Sequence, residues 1–296
     1  MAKLSNTKCK LRSFISSFVF PAIFLLGCSP QKEINKSESP LNIMTFNIRY
    51  GTANDGENNW VFRKEMVFDV IENFNPDFLG LQEALGFQIN EILEKFPSYK
   101  IIGVAREDGK LNGEFSAILY KSENFKVDTS ETFWLSDFPQ TPGSKTWGNN
   151  YSRICTWGKF LETNSGKYFF ILNSHFDHES VSSRIKSAEA IIKKVESFGT
   201  SLPIIFMGDL NTGETEETIK IIKQNNFVDS YYAVNNKSEA DGTFNSFKGE
   251  VNGEKIDYIF INNIFSAAKA EIIRTNKNGK FPSDHFPVSA VLNFKK

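Results

Sequence analysis

The feature that most constrains this chain is a set of short apolar runs, each ending on a polar residue able to do chemistry. LNIMTFNI carries Asn47 near its end, LGLQE closes on Glu83, ILNSH closes on His175, and PIIFMGDLN closes on Asp209 and Asn211. Two later runs reverse the order: Asp257 opens DYIFI, and Asp284-His285 precede the apolar stretch in SDHFPVSA. Apolar runs of four to eight residues are expected to be buried strands. A strand end is where a rigid sheet can hold polar side chains against one another.

Helical spacing separates these runs. Met66, Val67, Val70, Ile71 and Phe74 recur at helical intervals within 60–74 and stop before Pro76. Further helices are expected over Ile89–Phe96, about Ser182–Phe198 and about Glu216–Gln224. Strands are expected at Leu41–Ile48, Asp77–Leu81, Ala117–Tyr120, Ile154–Phe160, Tyr168–Asn173, Pro203–Met207, Tyr258–Ile261, about Ala270–Ile273 and Val288–Leu292. Mixed strands covered by several helices give an α/β sandwich with its helices outside. No composition break, Pro-rich linker or internal repeat interrupts 41–296, which reads as one domain. A hydrophobic share of 40% excludes the disordered classes, and 29 Phe point to a core packed with aromatic rings.

The first forty residues read as an address. Lys3, Lys8, Lys10 and Arg12 precede an apolar stretch, Phe14–Leu26, too short and broken to span a bilayer. Leu25-Leu26-Gly27-Cys28 resembles the lipobox of bacterial lipoproteins. The resemblance implies a signal peptide over 1–27, cut before Cys28, with acylation of that Cys and stable two-chain anchoring to the membrane. The plainer alternative is an ordinary signal peptide with an incidental Cys. Polar, aperiodic residues then make 28–40 the lipidated Cys and a flexible tether. The expected location is the bacterial cell envelope, on its periplasmic or extracellular face. Of three Cys, Cys9 would leave with the signal and Cys28 would carry lipid, so Cys155 stands alone and an internal disulfide is excluded.

Without residues 1–27, 30 Lys and Arg face 35 Asp and Glu. Phosphate-backbone binding calls for the opposite surplus, so dedicated nucleic-acid binding is disfavoured. A monomer is expected.

The strand-end residues form an ordered set. TFNIR, GLQE, NSHFD, GDLN, IDYIF and SDHFPV together resemble the endonuclease/exonuclease/phosphatase superfamily over about Leu41 to Lys296. The resemblance implies a four-layer αββα sandwich and hydrolysis of phosphoesters with a divalent metal, Mg²⁺ or Mn²⁺. Position by position, it implies Glu83 as principal metal ligand, assisted by Asn47, with Asp284 near the metal. Asp209 would orient or deprotonate the attacking water, and Asn211 would place the phosphate. His285 would contact the scissile phosphate, paired with Asp257, while His175 would support the pentacoordinate transition state. Arg49 stands where the DNA-repair branch carries an acid, which argues against a repair endonuclease.

Each residue also has a structural reading. Asn47 and Asn211 could be turn formers, Asp209 a helix cap, Asp257 a surface partner of Lys255, and Glu83 a solvated acid. Beyond the set, Arg153 is a candidate phosphate contact because a guanidinium matches phosphate geometry. His178 divides between site rim and ordinary surface, and alternation turns Asp177 the other way. The stretch 133–157, with Trp134, Trp147, Tyr151 and Trp157, is expected to be a long loop that either binds substrate or covers the core. Arg184 is expected at the surface. The favoured substrate is a phosphodiester, with a sugar- or inositol-phosphate phosphatase, an extracellular nuclease and an inactive tethered binding module as alternatives.

Overall fold

The structure is a computed structural model that describes residues 39–199 and 201–295. The expected signal peptide, Cys28 and all but the end of the expected tether lie outside the described residues. Among the described residues, twelve strands form two sheets of six. In the first, β1 (Leu41–Asn47) and β2 (Phe78–Ala84) run parallel; β12 (Val288–Phe294) and β11 (Phe265–Ile272) extend it beyond β1, and β4 (Phe115–Lys121) and β3 (Tyr99–Ile102) beyond β2. In the second, β7 (Tyr168–His175) and β8 (Ile204–Asp209) are the parallel pair. Here β6 (Ile154–Glu162) and β5 (Phe125–Trp134) lie on one side, β10 (Asp257–Asn262) and β9 (Phe227–Asp229) on the other. Every other neighbouring pair is antiparallel. The two sheets therefore share one pairing pattern, although no sequence repeat announces it.

A parallel pair needs a long crossover. α1 (Trp60–Phe74) supplies the first, and α3 (Val181–Ser197) the second. With α2 (Gly86–Lys95) and α4 (Glu217–Gln224), these helices cover the outer faces. Alternation along the strands sorts the side chains into layers. Ile43, Phe78, Phe169 and Ile205 meet between the sheets, whereas Met44, Leu79 and Leu81 pack under α1 and α2, and Phe170, Leu172 and Phe206 under α3 and α4. The order is helix, sheet, sheet, helix, as the four-layer expectation required. Phe rings join the sheets edge to face, with Phe78 at 4.8 Å from Phe160 and 5.5 Å from Phe169.

Local signals set the ends. α1 stops at Asn75, which adopts φ 52° and donates back to Ile71 before Pro76. α3 starts at Ser180, whose hydroxyl accepts from Ser183 N at 3.1 Å. The sequence reading omits β3, β5 and β9. All three are edge strands, and β5 in particular keeps polar residues along its exposed middle (KVDTSET), so the apolar-run signal fails there. Consequently the long loop is shorter than expected: β5 runs through Trp134 and β6 begins at Ile154, which leaves 135–153. Trp134 and Trp157 are core cover.

Gly208 explains the glycine of GDLN. It adopts φ 150°, and a Cβ there would lie 1.9 Å from the carbonyl oxygen of Ser174 on β7. Only glycine lets β8 pass this close, and the pass brings Asp209 beside His175. Gly208→Ala should therefore cost about 3 kcal/mol or more in urea unfolding. Gly253→Ala, where an added Cβ meets nothing within 4 Å, should stay within about 0.5 kcal/mol of the parent.

Candidate active site

The strand ends named above gather on one rim of the sandwich. Buried Asn47 ends β1, and its amide nitrogen donates to Glu83 Oε1 at 3.1 Å and to Asp209 Oδ2 at 2.9 Å. One side chain thus ties carboxylates from both sheets. Its own Oδ1 accepts from Arg49 N at 3.0 Å. Just below, Gln82 donates to Thr45 Oγ1 at 3.0 Å and to Asn173 Oδ1 at 2.7 Å, and Asn173 donates to Leu81 O and Ala117 O. This buried polar layer couples the sheets where the apolar sandwich ends.

Three rim residues, Arg49, Glu83 and Asn211, adopt positive φ of 54°, 56° and 49°. For Arg and Glu this region is sparsely populated and costs on the order of 1–3 kcal/mol each. The surrounding bonds hold them there. Tyr50 N donates to Glu83 Oε2 at 3.2 Å, and Asn211 N to Asp209 Oδ1 at 3.0 Å.

Asp209 is the hub. Its Oδ2 lies 3.5 Å from His175 Nε2 and 3.7 Å from His285 Nε2. Burial, then the charge of Asp257, pushes its pKa up to about 7. The two histidines are held in opposite states. Burial alone would strip His285 of its proton, but Asp257 Oδ2, 2.9 Å from Nδ1, and Asp209 override it and hold the pKa well above the ordinary value. His175 is held well below, by burial and then by the charges of Arg153 and Arg106. An imidazolium and a neutral imidazole thus flank one carboxylate, a separation typical of acid–base sites. The neutral ring accepts from Asn211 Nδ2 at 3.0 Å on Nε2, so its proton sits on Nδ1, which faces Glu114 Oε2 at 3.9 Å.

Glu83 and Asp284 face Arg49. Its guanidinium makes a two-pronged pair with Asp55, at 3.1 Å for both bonds, but stands 3.9 Å from Glu83 and 3.8 Å from Asp284. Burial, together with the charge of Glu83, raises the pKa of Asp284.

A cleft of about 710 Å³ opens over these groups. Arg153 borders it, buried, with Nε 3.4 Å from Asp177 and Nη2 3.0 Å from His178 Nδ1; its Nη1 is buried without a hydrogen-bond partner. His178 is a rim residue, half exposed and stacked on Tyr151 at 5.8 Å. Asp177 turns away from the cleft as alternation required, but inward, where it is fully buried. Arg184 is half-buried and donates to Asp177 O at 2.9 Å. Asp257 does not pair with Lys255, which is buried against Asp229 at 2.9 Å.

Sequence reasoning missed Glu114, Arg106, Arg63 and Gln88. Glu114 receives Arg106 Nη1 at 2.7 Å and stands immediately before β4. It obeys the strand-end rule, which passed over it because the strand was expected to begin at Ala117. Buried Arg63 donates to the carbonyls of Ile48, Arg49 and Pro282 and so clamps the two loops that carry Arg49 and Asp284. Burial lowers its pKa to about 10. An arginine at helical spacing with Trp60 and Val67 was its signal. Gln88 binds the same loop through Gly51 N and Arg49 O.

A sequence profile described as Endonuclease/Exonuclease/phosphatase family matches residues 44–285. The chain belongs to that family. It is similar to a mannosyl-6-phosphatase from Bacteroides thetaiotaomicron, with 31% identity and a TM-score of 0.80 over 86% of this chain and 100% of that one. Tyrosyl-DNA phosphodiesterase 2 of Bos taurus is 25% identical over 90% of this chain and 71% of its own length. An uncharacterized protein of Acanthamoeba polyphaga mimivirus is 33% identical over 57% of this chain, and the match spans 65% of that protein.

The histidine assignment is open to direct titration. In EDTA, ¹⁵N imidazole spectra should show His175 titrating well below an ordinary imidazole and His285 well above one. Because Asp257 raises the His285 pKa, Asp257→Asn should lower it and leave His175 neutral.

Proposed function

We propose that the chain is a divalent-metal-dependent phosphoester hydrolase in which water attacks a small, polar phosphomonoester, and that Cys28 anchors it by lipid to the bacterial envelope. The observation that carries the hydrolase reading is the shared Asp209 carboxylate, with an imidazolium on one side and a neutral imidazole on the other.

The donor set fits a hard cation. Glu83 and Asp284 are two poorly exposed carboxylates whose cationic neighbour, Arg49, is committed to Asp55 and stands beyond hydrogen-bond reach. Oxygen ligands of this kind suit Mg²⁺ or Mn²⁺, and Asn47 orients Glu83 through its amide nitrogen. Asp209, Asp257 and His285 also place ligand atoms within 4.8 Å of one another. That group is spent on its own hydrogen bond and carries the imidazolium proton, which repels a metal. Held by Glu83 and Asp284, with Asn47 orienting Glu83, the cation would supply charge neutralisation at the phosphoryl oxygens.

The residues then divide the work. Asp209, with its raised pKa, accepts the proton of the attacking water near neutral pH. His285 donates a charge-assisted hydrogen bond to a phosphoryl oxygen, and Asp257 keeps it charged. His175 accepts the Asn211 amide on Nε2 and so holds it at the phosphoryl position, with Glu114 behind its Nδ1. Water and the monoester yield an alcohol and inorganic phosphate.

Two considerations favour a monoester over the expected diester. The mannosyl-6-phosphatase is the more similar of the two relatives named above for an activity, and Arg153, whose Nη1 is buried beside the cleft without a hydrogen-bond partner, suits a phosphate dianion. A diester is the second reading, supported by the likeness to tyrosyl-DNA phosphodiesterase 2. The acidic balance of the domain argues against dedicated nucleic-acid binding.

The test uses the full chain in detergent with p-nitrophenyl phosphate, mannose 6-phosphate and bis(p-nitrophenyl) phosphate, each with Mg²⁺, Mn²⁺ or EDTA. Metal-dependent turnover that favours the monoesters is expected, and His175→Ala should lower it about 10²-fold or more without altering the melting temperature. Turnover indifferent to EDTA would contradict the reading. Cys28→Ser should move the protein from the membrane to the soluble fraction.

A further inference from the structure

Arg153 enters the cleft wall from the residue just before β6 with only 2% of its surface exposed. A guanidinium carries five N–H donors and no acceptor, so a buried one calls for acceptors around it. Two consecutive residues supply them. Asp177 Oδ2 lies 3.4 Å from Nε, and His178 Nδ1 lies 3.0 Å from Nη2. Nε and Nη2 share one edge of the planar group, so the turn between β7 and α3 holds that edge. Nη1, on the other side, has no hydrogen-bond partner among the described residues.

The contact fixes the state of His178. An arginine can only donate, so Nδ1 must be the acceptor, and the proton of the neutral ring sits on Nε2. That nitrogen faces Glu179 Oε1 at 3.6 Å, and the other oxygen of Glu179 accepts from Asn150 Nδ2. Tyr151 stacks on the ring at 5.8 Å. The backbone beneath is fixed too. Asp177 Oδ1 accepts from Glu179 N at 3.1 Å and Ser180 N at 2.7 Å, and Arg184 Nη1 donates to Asp177 O at 2.9 Å. Half of the His178 side chain stays in solvent, so core burial is not what these contacts achieve. What they achieve is a fixed guanidinium. An arginine gripped along one edge presents its remaining nitrogen in one direction and loses little rotamer freedom on binding an anion.

We propose that His178 is a positioning residue: with Asp177 it holds one edge of the Arg153 guanidinium so that Nη1 meets a dianionic phosphoryl group, which makes His178 a determinant of monoester over diester. This rests on the hydrolase reading above. His178 itself touches no reacting atom and acts through Arg153. A contact made to the ground-state dianion as well as to the transition state shows in KM and leaves kcat in place.

The test compares the full chain in detergent with two variants. His178→Ala removes the acceptor, and His178→Asn offers Oδ1 in place of Nδ1. With Mg²⁺ and p-nitrophenyl phosphate, His178→Ala should raise KM about tenfold and keep kcat within about threefold of the parent. With bis(p-nitrophenyl) phosphate, which carries a single charge, KM should rise less than about threefold. His178→Asn should bring KM for the monoester back to within about threefold of the parent, at an unchanged melting temperature. In an Arg153→Lys background, which lacks the fork, His178→Ala should raise KM no further. An unchanged KM in His178→Ala overturns the proposal, as do equal losses for both esters, an Asn variant as impaired as the Ala variant, or a further rise in the Arg153→Lys background. If the parent turns over neither ester, the hydrolase reading fails, and calorimetry with inorganic phosphate decides the proposal separately. Phosphate should then bind about tenfold more weakly to His178→Ala and recover in His178→Asn. Equal affinity for parent and His178→Ala, or no binding to the parent, overturns it.

Discussion

One amide group makes two sheets into one site. The Asn47 nitrogen donates to Glu83 on its own sheet and to Asp209 on the other, at 3.1 and 2.9 Å. Both carboxylates are poorly exposed, and a buried carboxylate without a partner is costly. A neutral donor is the group that can join two like charges without consuming either. A lysine there would form salt bridges and neutralise the carboxylates that a metal or a water needs. Around this contact the rest follows: Gly208 lets β8 come close to β7, the Gln82–Asn173 pair couples the sheets below, and Arg63 fixes the flanking loops from behind.

The electrostatics depend on that closure. Because Asp209 is drawn between the histidines, its charge helps hold the His285 proton, and Asp257 raises its pKa in turn. His175 sits on the side of Arg153 and Arg106 and stays neutral. Two chemically identical side chains therefore differ in charge through position alone. A general base near neutrality and a hydrogen-bond donor with positive charge arise within 4 Å of each other, an arrangement suited to phosphoryl transfer, where positioning and charge stabilisation do most of the catalysis.

Much of this was legible in the sequence, for a physical reason. A buried strand must be apolar, so a polar residue at its end stands out, and Asn47, Glu83, His175, Asp209, Asp257 and His285 all stood out in that way. The same rule was blind to edge strands such as β5, whose exposed middle has no need of apolar residues, and to Glu114, because the start of β4 was placed two residues late. Arg63 and Gln88 act through backbone carbonyls and amides, and no spacing in the chain marks which loop they will meet. The opposition between the two histidines was also out of reach. It is set by Arg153, Arg106 and Asp257, which lie far from one another in the chain and meet only after the sheets have closed.

The most direct test of the central claim is a double-mutant cycle between Asn47→Ala and Asp209→Asn, read in kcat/KM for metal-dependent phosphoester hydrolysis. If the Asn47 amide and the Asp209 carboxylate work as one unit across the sheets, the double variant should be about as impaired as the worse single variant, with a coupling of about 1–3 kcal/mol. Strictly additive losses would mean that the two residues act independently, and the account of a site closed by one shared amide would be wrong.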